Sequence, residues 1–260
     1  MKISGTVEQI FAHAVALDQS GGLRNTIYAI GNEVFILNYD HTVLLRFRLR
    51  ASEIPFENPI SFRANDYDSN EFYEEDGKIV FVSNQGGYQR KKSCGTPDFT
   101  PKDIQQVFNK YEKEKLEAVV VQLPKDIIGL LDRELSHIEF VGKAGDSLTL
   151  IQRNIYSGAI IEVKGKKKKS GFFDTLKLEK DIEPIAIKTN DFVALFAFQD
   201  VLKFHLPVKG KADYMMVESI DSKKRDMKGF IAGCLYDEII EIKEAEIYGG
   251  RKKPKGRGSK

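Results

Sequence analysis

Thr6-Val-Glu-Gln-Ile-Phe-Ala-His-Ala-Val-Ala-Leu17 and Pro124-Lys-Asp-Ile-Ile-Gly-Leu-Leu-Asp-Arg-Glu-Leu135 decide the reading of this chain. Each reads as an amphipathic helix followed by short strand-like stretches. These are 26–30, 33–39 and 43–50 after the first, and 138–141, 147–152 and 159–164 after the second. No side chain recurs at a fixed offset, so the repeat is one of pattern. A duplicated helix-plus-meander unit builds an extended or ring-shaped surface more readily than a catalytic pocket. In the first helix Thr6 and Gln9 have capping-box spacing, and Val7, Ile10, Phe11, Ala14 and Leu17 share one face before Gly21-Gly22 stops it. In the second, Pro124 opens the helix and Ile127, Ile128, Leu131 and Leu135 form the apolar face, leaving Lys125, Asp132 and Arg133 on the other side.

Working outward, alternation in 43–50 sets Arg46, Arg48 and Arg50 opposite Leu45, Phe47 and Leu49, an exposed outer sheet face. A strand at 60–64, a polar acidic stretch at 65–76 and a hairpin arm at 78–83 follow. The breaker cluster Gly95-Thr-Pro-Asp-Phe-Thr-Pro101 opens a connector. From Pro101 the spacing predicts a helix with Ile104, Val107, Phe108 and Tyr111 in a stripe and Lys110, Lys113 and Lys115 at a basic end. Past the second helix and its strands come a basic loop at 165–171 and a strand at 172–178. A helix capped by Thr189 or Asn190, with Phe192, Val193, Leu195 and Phe196 inward, precedes strands at 201–208, 212–219 and 229–235. The expected fold class is α+β, two similar domains of helices packed on antiparallel sheets. Their bounds are 1–98 and 118–248, with a connector at 99–117 and a disordered basic tail at 249–260.

Net charge is only +2, from 40 basic and 38 acidic residues, so any nucleic-acid contact must come from local segregation of charge. Cys94 and Cys234 lack ligand spacing and read as reduced thiols of a cytoplasmic protein (host cytoplasm for a viral one). The first residues resemble neither a signal peptide nor a membrane anchor, and no window reaches the ~20 apolar residues of a span.

Catalytic motifs are missing from the sequence: no phosphate loop, no dinucleotide fingerprint and no nucleophile elbow. His13, His41, His137 and His205 are scattered, and the acidic cluster at 66–76 lacks the glycine and terminal glutamate of a calcium loop. The expectation is a protein that is not an enzyme, with no cofactor and no metal. Three basic groups remain. Lys166, Lys167 and Lys168 form a loop tip that is either solvated or phosphate-contacting. Arg251 and Lys252 lie in a tail that either touches nucleic acid or aids solubility. Lys125 and Arg133 matter only if the helices of both halves line one surface.

Specific stretches then resemble the DNA polymerase sliding clamps, closest to the two-domain bacteriophage and eukaryotic/archaeal type. Gly31-Asn-Glu-Val-Phe-Ile-Leu-Asn-Tyr-Asp-His-Thr-Val-Leu-Leu-Arg-Phe-Arg-Leu-Arg-Ala-Ser52 is similar to a phage clamp's first hairpin, and Asp76-Gly-Lys-Ile-Val-Phe-Val-Ser83 to its later arm. Asp191-Phe-Val-Ala-Leu-Phe-Ala-Phe-Gln-Asp-Val-Leu-Lys-Phe-His-Leu206 looks like the last helix running into its strand, with Tyr214-Met-Met-Val-Glu-Ser219 and Gly229-Phe-Ile-Ala-Gly-Cys-Leu-Tyr236 as the closing hairpin.

The resemblance implies a homo-oligomeric ring, a trimer, whose helices face duplex DNA without sequence preference. Its partners would be the replicative polymerase and a clamp loader. It implies a second helix of the first half near 65–75. By position it makes Lys125 and Arg133, with Lys102 and Lys110 behind them, the inner-face residues. It also makes Phe99, Val107, Phe108 and Leu235 the apolar pocket for a partner peptide. The alternatives are another replication accessory (a single-strand DNA binder or a monomeric processivity factor), a β-rich virion protein, or an unrecognised enzyme.

Overall fold

The computed structural model describes residues 7–11, 25–53, 58–64, 71–76, 78–85, 87–95, 97–153, 158–167, 173–175, 177–196, 199–220 and 226–233. A helix over residues 7–11 (α1) precedes β1 (Thr26–Ile30), β2 (Glu33–Leu37), β3 (Val43–Arg48), β4 (Ile60–Arg63), β5 (Glu71–Glu75), β6 (Lys78–Gln85) and β7 (Tyr88–Ser93). Helix α2 (Pro101–Lys113) joins these to β8 (Ala118–Pro124), β9 (His137–Val141), β10 (Thr149–Arg153), β11 (Gly158–Glu162), β12 (Lys164–Lys167), β13 (Phe173–Thr175) and β14 (Ile185–Lys188). Helix α3 (Thr189–Leu195) then leads to β15 (Val201–Pro207), β16 (Tyr214–Ser219) and β17 (Asp226–Ala232). Strand pairing is antiparallel throughout these elements. The molecule is mostly sheet with few helices.

The topology repeats. In the first half β1, β2 and β3 form a meander and β4 returns to pair with β1; in the second, β9, β10 and β11 form the same meander and β14 returns to β9. Each unit precedes a second three-strand meander, β5-β6-β7 and β15-β16-β17 respectively. The halves fuse where β17 pairs with β3, producing one eight-stranded sheet ordered β4-β1-β2-β3-β17-β16-β15-β8. At this seam Gly229 faces Leu45. A Cβ there would come within 2.4 Å of Leu45 Cδ2 and 3.2 Å of the Leu44 carbonyl, so a larger residue would have to displace the Leu45 side chain where the two strands approach.

Alternation distributes the side chains to two cores. One face of the large sheet contributes Ile27, Ile36, Leu45, Phe47, Phe204 and Val217 to a continuous cluster that also takes in Val7, Ile10 and Phe11 of α1 and Phe192, Leu195 and Phe196 around α3. The opposite face carries Tyr28, Phe35, Leu37, Leu44 and Phe230, covered by Ile104 and Phe108 of α2. Thus α1 and α3 share one side of the sheet and α2 lies on the other.

Several expectations change. Residues 124–135 are not an α-helix: a 3-10 segment over Lys125–Leu130 follows β8, and the chain then turns. Ile127 and Leu131 are buried as expected, because spacings of three and four also suit a 3-10 turn followed by an extended step. What stops the helix is the buried Gln152. Its Oε1 accepts from the Asp132 amide at 2.9 Å and its Nε2 donates to the Asp132 carbonyl at 3.0 Å, taking backbone groups that helical bonds would need. Gly129 within the segment lowers helix propensity further.

The second helix expected near 65–75 gives way over 71–75 to strand β5, where Phe72 points to the core among exposed or half-exposed neighbours; 65–70 lie outside the described residues. The exposed arginine face of 43–50 is also corrected: Arg46 is buried, because α2 lies across that face. Neither Thr189 nor Asn190 caps α3. Lys188 holds the cap position, and the Thr189 hydroxyl donates to the Leu135 carbonyl. Part of the basic loop at 165–171 is strand, β12 paired with β13. Strands β7, β8 and β14 had not been anticipated. Residues 249–260, and so the expected disordered tail, lie outside the described residues.

Candidate partner groove and basic surfaces

Local sequence places α2 firmly. The Thr100 hydroxyl accepts from the Asp103 amide at 3.2 Å while the Asp103 carboxylate accepts from the Thr100 amide at 3.0 Å, a reciprocal cap strengthened by Pro101 in the first turn. The Thr100 hydroxyl also donates to the Asp103 carboxylate at 2.7 Å, and this bond, with the one from the Thr100 amide, holds the exposed Asp103 carboxyl below its usual range. The underside of α2 is pinned by charge. Arg46 donates to both Glu112 oxygens at 2.9 and 3.1 Å, Lys228 reaches the same carboxylate at 3.1 Å, and the Arg46 guanidinium lies 4.5 Å from the centre of the Phe108 ring. Burial alone would raise the Glu112 carboxyl, but the hydrogen bonds from Arg46 and Lys228 outweigh it and hold it below the ordinary value. Gln105 adds a bond to Glu33 at 2.9 Å. Burial likewise lifts the Tyr28 hydroxyl beneath the helix to about 12.

Beside this pinned helix runs an apolar groove of about 210 Å³. Leu37, Leu44, Ile104 and Phe230 make its floor, with Phe99, Val107, Tyr111, Tyr214, Ala232, His41 and Thr42 around them. Edge-to-face rings brace it: Phe108 against Phe230 at 4.9 Å, Tyr111 against Tyr214 at 5.1 Å, and His41 against Phe99 at 5.5 Å. The rim turn after β2 is held by Asn38, which accepts from the amides of Thr42 and Val43 and donates to Asp191 of α3 at 3.2 Å. Lys188 pairs with Asp40 in the same turn, so the second half supports the groove wall. His41 takes a left-handed φ of 57° there.

The anticipated partner residues separate by depth. Phe99 and Val107 line the groove and are 40% and 44% exposed, whereas Phe108 is wholly buried and supports the floor from beneath. Leu235 lies outside the described residues. Leu37, Leu44, Tyr214 and Phe230 were missed. Their alternation places them on a sheet face, but only the path of α2 shows that the face forms a groove.

The anticipated basic residues fall on different surfaces. Lys102 and Lys110 are exposed on α2, on one side of the large sheet. Lys125 and Arg133 are exposed beside the segment whose Ile127 and Leu131 join the other core, the side that also carries α1 and α3. The sheet therefore keeps the two pairs apart. Lys166 and Lys167 belong to β12, while Lys168, Arg251 and Lys252 lie outside the described residues. A basic stretch that sequence reasoning passed over is Arg90-Lys91-Lys92 on β7, where Lys91 sits 5.4 Å from the centre of the Tyr73 ring. Its signal was plain, three cations in a row, but only the first arm of the hairpin, 78–83, had been read as strand.

Among the described residues no group of three or more His, Cys, Asp or Glu could hold a metal ion, and no helix is long and apolar enough to cross a membrane.

No protein-family model matches the sequence, and no curated protein matches it. Solved structures do. The chain is similar to a chain of the PCNA2-PCNA3 complex from Sulfolobus tokodaii, with a TM-score of 0.50 and 13% identity over 87% of this chain and 95% of that one. It is also similar to DNA polymerase III subunit beta from Pseudomonas aeruginosa (TM-score 0.54, 12% identity, 89% of this chain) and to the Helicobacter pylori beta clamp (TM-score 0.54, 13% identity, 90% of this chain). The chain spans 64% and 65% of the length of those two bacterial proteins. At such identities the likeness is one of fold, and that fold is the sliding-clamp fold.

Proposed function

We propose that this protein is a sliding clamp: a ring of identical chains that encloses duplex DNA and tethers the replicative polymerase, loaded by a partner that opens it. The likeness of fold to PCNA and beta-clamp chains supports this reading. The observation that carries it is the repeat. Within one chain the halves join where β17 meets β3. The topological counterparts of those strands are β7 and β11, and among the described residues each is the edge of its sheet. Pairing β7 of one copy with β11 of the next would repeat the internal junction between chains. Such a head-to-tail contact, applied again, closes a ring and removes the open edges. Tyr88 and Ile160, 83% and 44% exposed on these two strands, are the apolar groups such pairing would cover.

Three chains would give six repeats, the trimer of this reading, with half boundaries as read from the sequence. Lys125 and Arg133, on the side bearing α1 and α3, are assigned to phosphates in the hole. Lys102 and Lys110, across the sheet, are assigned to the outer face with the groove. Topological enclosure makes tight binding unnecessary, so a chain with a net charge of only +2 suffices. The groove beside α2 would receive the polymerase or loader peptide.

The test combines mass and retention. The protein should sediment at about 88 kDa, three chains of 29.4 kDa each. Once loaded, it should stay on a nicked circle and run off after the circle is cut. Ile160→Asp, at an exposed edge position, should leave a folded monomer that no longer stays on the circle. A monomeric native protein that binds short single strands directly would refute the reading and favour a single-strand binder.

A further inference from the structure

Strand β17 delivers the chain to the groove. Its last residue, Ala232, lines the groove and pairs with Tyr214, and the next amide, that of Gly233, is held by the Asp213 carbonyl at 3.1 Å. Residues 234–260 follow, outside the described residues. Their first part reads Leu235-Tyr-Asp-Glu-Ile-Ile-Glu-Ile-Lys-Glu-Ala-Glu-Ile-Tyr248. At about 100° per residue, Leu235, Tyr236, Ile239, Ile240, Ile242 and Ile247 fall on one side, and Asp237, Glu238, Glu241 and Glu244 on the other. This is an amphipathic pattern. Five carboxylates, Glu246 included, against the single Lys243 give the stretch a net charge of −4.

We infer that residues 235–248 are the groove's own occupant: the segment lies on the groove of the chain that carries it, and a partner peptide enters by displacing it. This rests on reading the groove as a docking site and adds what regulates access to it. The apolar side of the segment needs cover, and the groove is the apolar surface at the point where the segment begins. Wound as a helix rising about 1.5 Å per residue, its 14 residues span roughly 21 Å. Helix α2, which walls the groove, has 13 residues and nearly the same length. Charge suits the placement as well. At the Tyr111 and Tyr214 end, where the chain leaves, the exposed Lys110, Lys113 and Lys115 stand against Glu114 and Asp213, while Glu112 is engaged by Arg46 and Lys228. The acidic side of the segment therefore meets a net positive end. Attachment three residues from Ala232 makes the contact intramolecular, at an effective concentration of about 1 mM. An intrinsic affinity of only about 100 μM would then keep the groove about nine-tenths occupied and weaken a competing peptide about tenfold.

The probe is a labelled synthetic peptide of residues 235–248, followed by fluorescence anisotropy against two full-length chains. One is the native chain and the other carries Ile239→Asp and Ile242→Asp. Neither residue belongs to the described cores, so the variant should keep the native circular dichroism. The peptide should bind the variant about tenfold more tightly than the native chain, and Val107→Asp, at an exposed groove position, should abolish binding to both. Equal affinity for the two chains would overturn the inference and leave the groove to a separate partner. Failure to bind the variant would overturn it as well. A disadvantage of the native chain that grows with protein concentration would put the segment on a second copy and overturn the contact within one chain. The readout involves neither the ring nor DNA. A protein that trimerises and stays on nicked circles but shows equal affinities keeps the clamp reading and loses this one. The tenfold difference in a protein that fails those tests does the reverse.

Discussion

Replacing Glu112 by alanine tests what holds the connector helix to the sheet. Glu112 receives two hydrogen bonds from Arg46 and one from Lys228. The Arg46 side chain is 3% exposed and that of Glu112 is 29% exposed. Without the carboxylate, the buried guanidinium keeps, among the described residues, Glu33 at 3.6 Å as its one acidic partner, beside the Phe108 ring. Breaking a fully buried pair from one side costs about 3–5 kcal/mol, and losing an exposed pair costs less than ~1 kcal/mol. Water can reach one edge of Glu112, so the loss should fall near 2–3 kcal/mol.

Urea unfolding followed by circular dichroism would show the midpoint moving down with an unchanged slope, since the surface exposed on unfolding is nearly the same. The Arg46→Met, Glu112→Leu double variant should recover part of the loss, because it removes the buried guanidinium that Glu112→Ala leaves without its carboxylate. Acid offers an independent check. The folded Glu112 carboxyl lies below its unfolded value of about 4.3, so its stabilisation is present above that pH and lost as pH falls through the lowered folded value. The gap between wild type and Glu112→Ala should therefore close in acid. A loss under ~1 kcal/mol at neutral pH, or a gap that widens in acid, would refute the argument.

Two further outcomes test the seam and the proposed phosphate contacts. Gly229→Ala should cost about 1–3 kcal/mol, because the added methyl meets the buried Leu45 side chain at 2.4 Å and crowds the Leu44 carbonyl at 3.2 Å; the urea midpoint reports it. Lys125→Ser with Arg133→Ser should leave folding intact, since both side chains are exposed, and should reduce the salt slope of DNA retention by about one for each phosphate no longer neutralised.

Much of the local structure was legible. Alternation in 26–48 marked β1 to β3, and the Thr100-Pro101 start with its apolar stripe marked α2, because these signals are satisfied within a few residues. The same periodicity misled at 124–135. Whether its apolar positions continue as a helix depends on Gln152, whose side chain claims the Asp132 backbone from twenty residues away.

By itself, then, the sequence pointed to a repeated pattern of short strands with a helix from Pro101 between the halves, no catalytic motif and a nearly balanced charge, but it gave the halves more helix than they have. Tertiary structure alone decided that β17 would meet β3, that α2 would bury Arg46 instead of leaving an exposed basic face, and that Tyr214 and Phe230 would line a groove with Ile104 and Val107. The reason is one of range. Turns, caps and alternation are local energies written in neighbouring residues, whereas the seam, the ion pairs and the groove depend on which distant faces come together. Strand pairing of any register satisfies the backbone equally well, so only side-chain fit across that distance makes the choice.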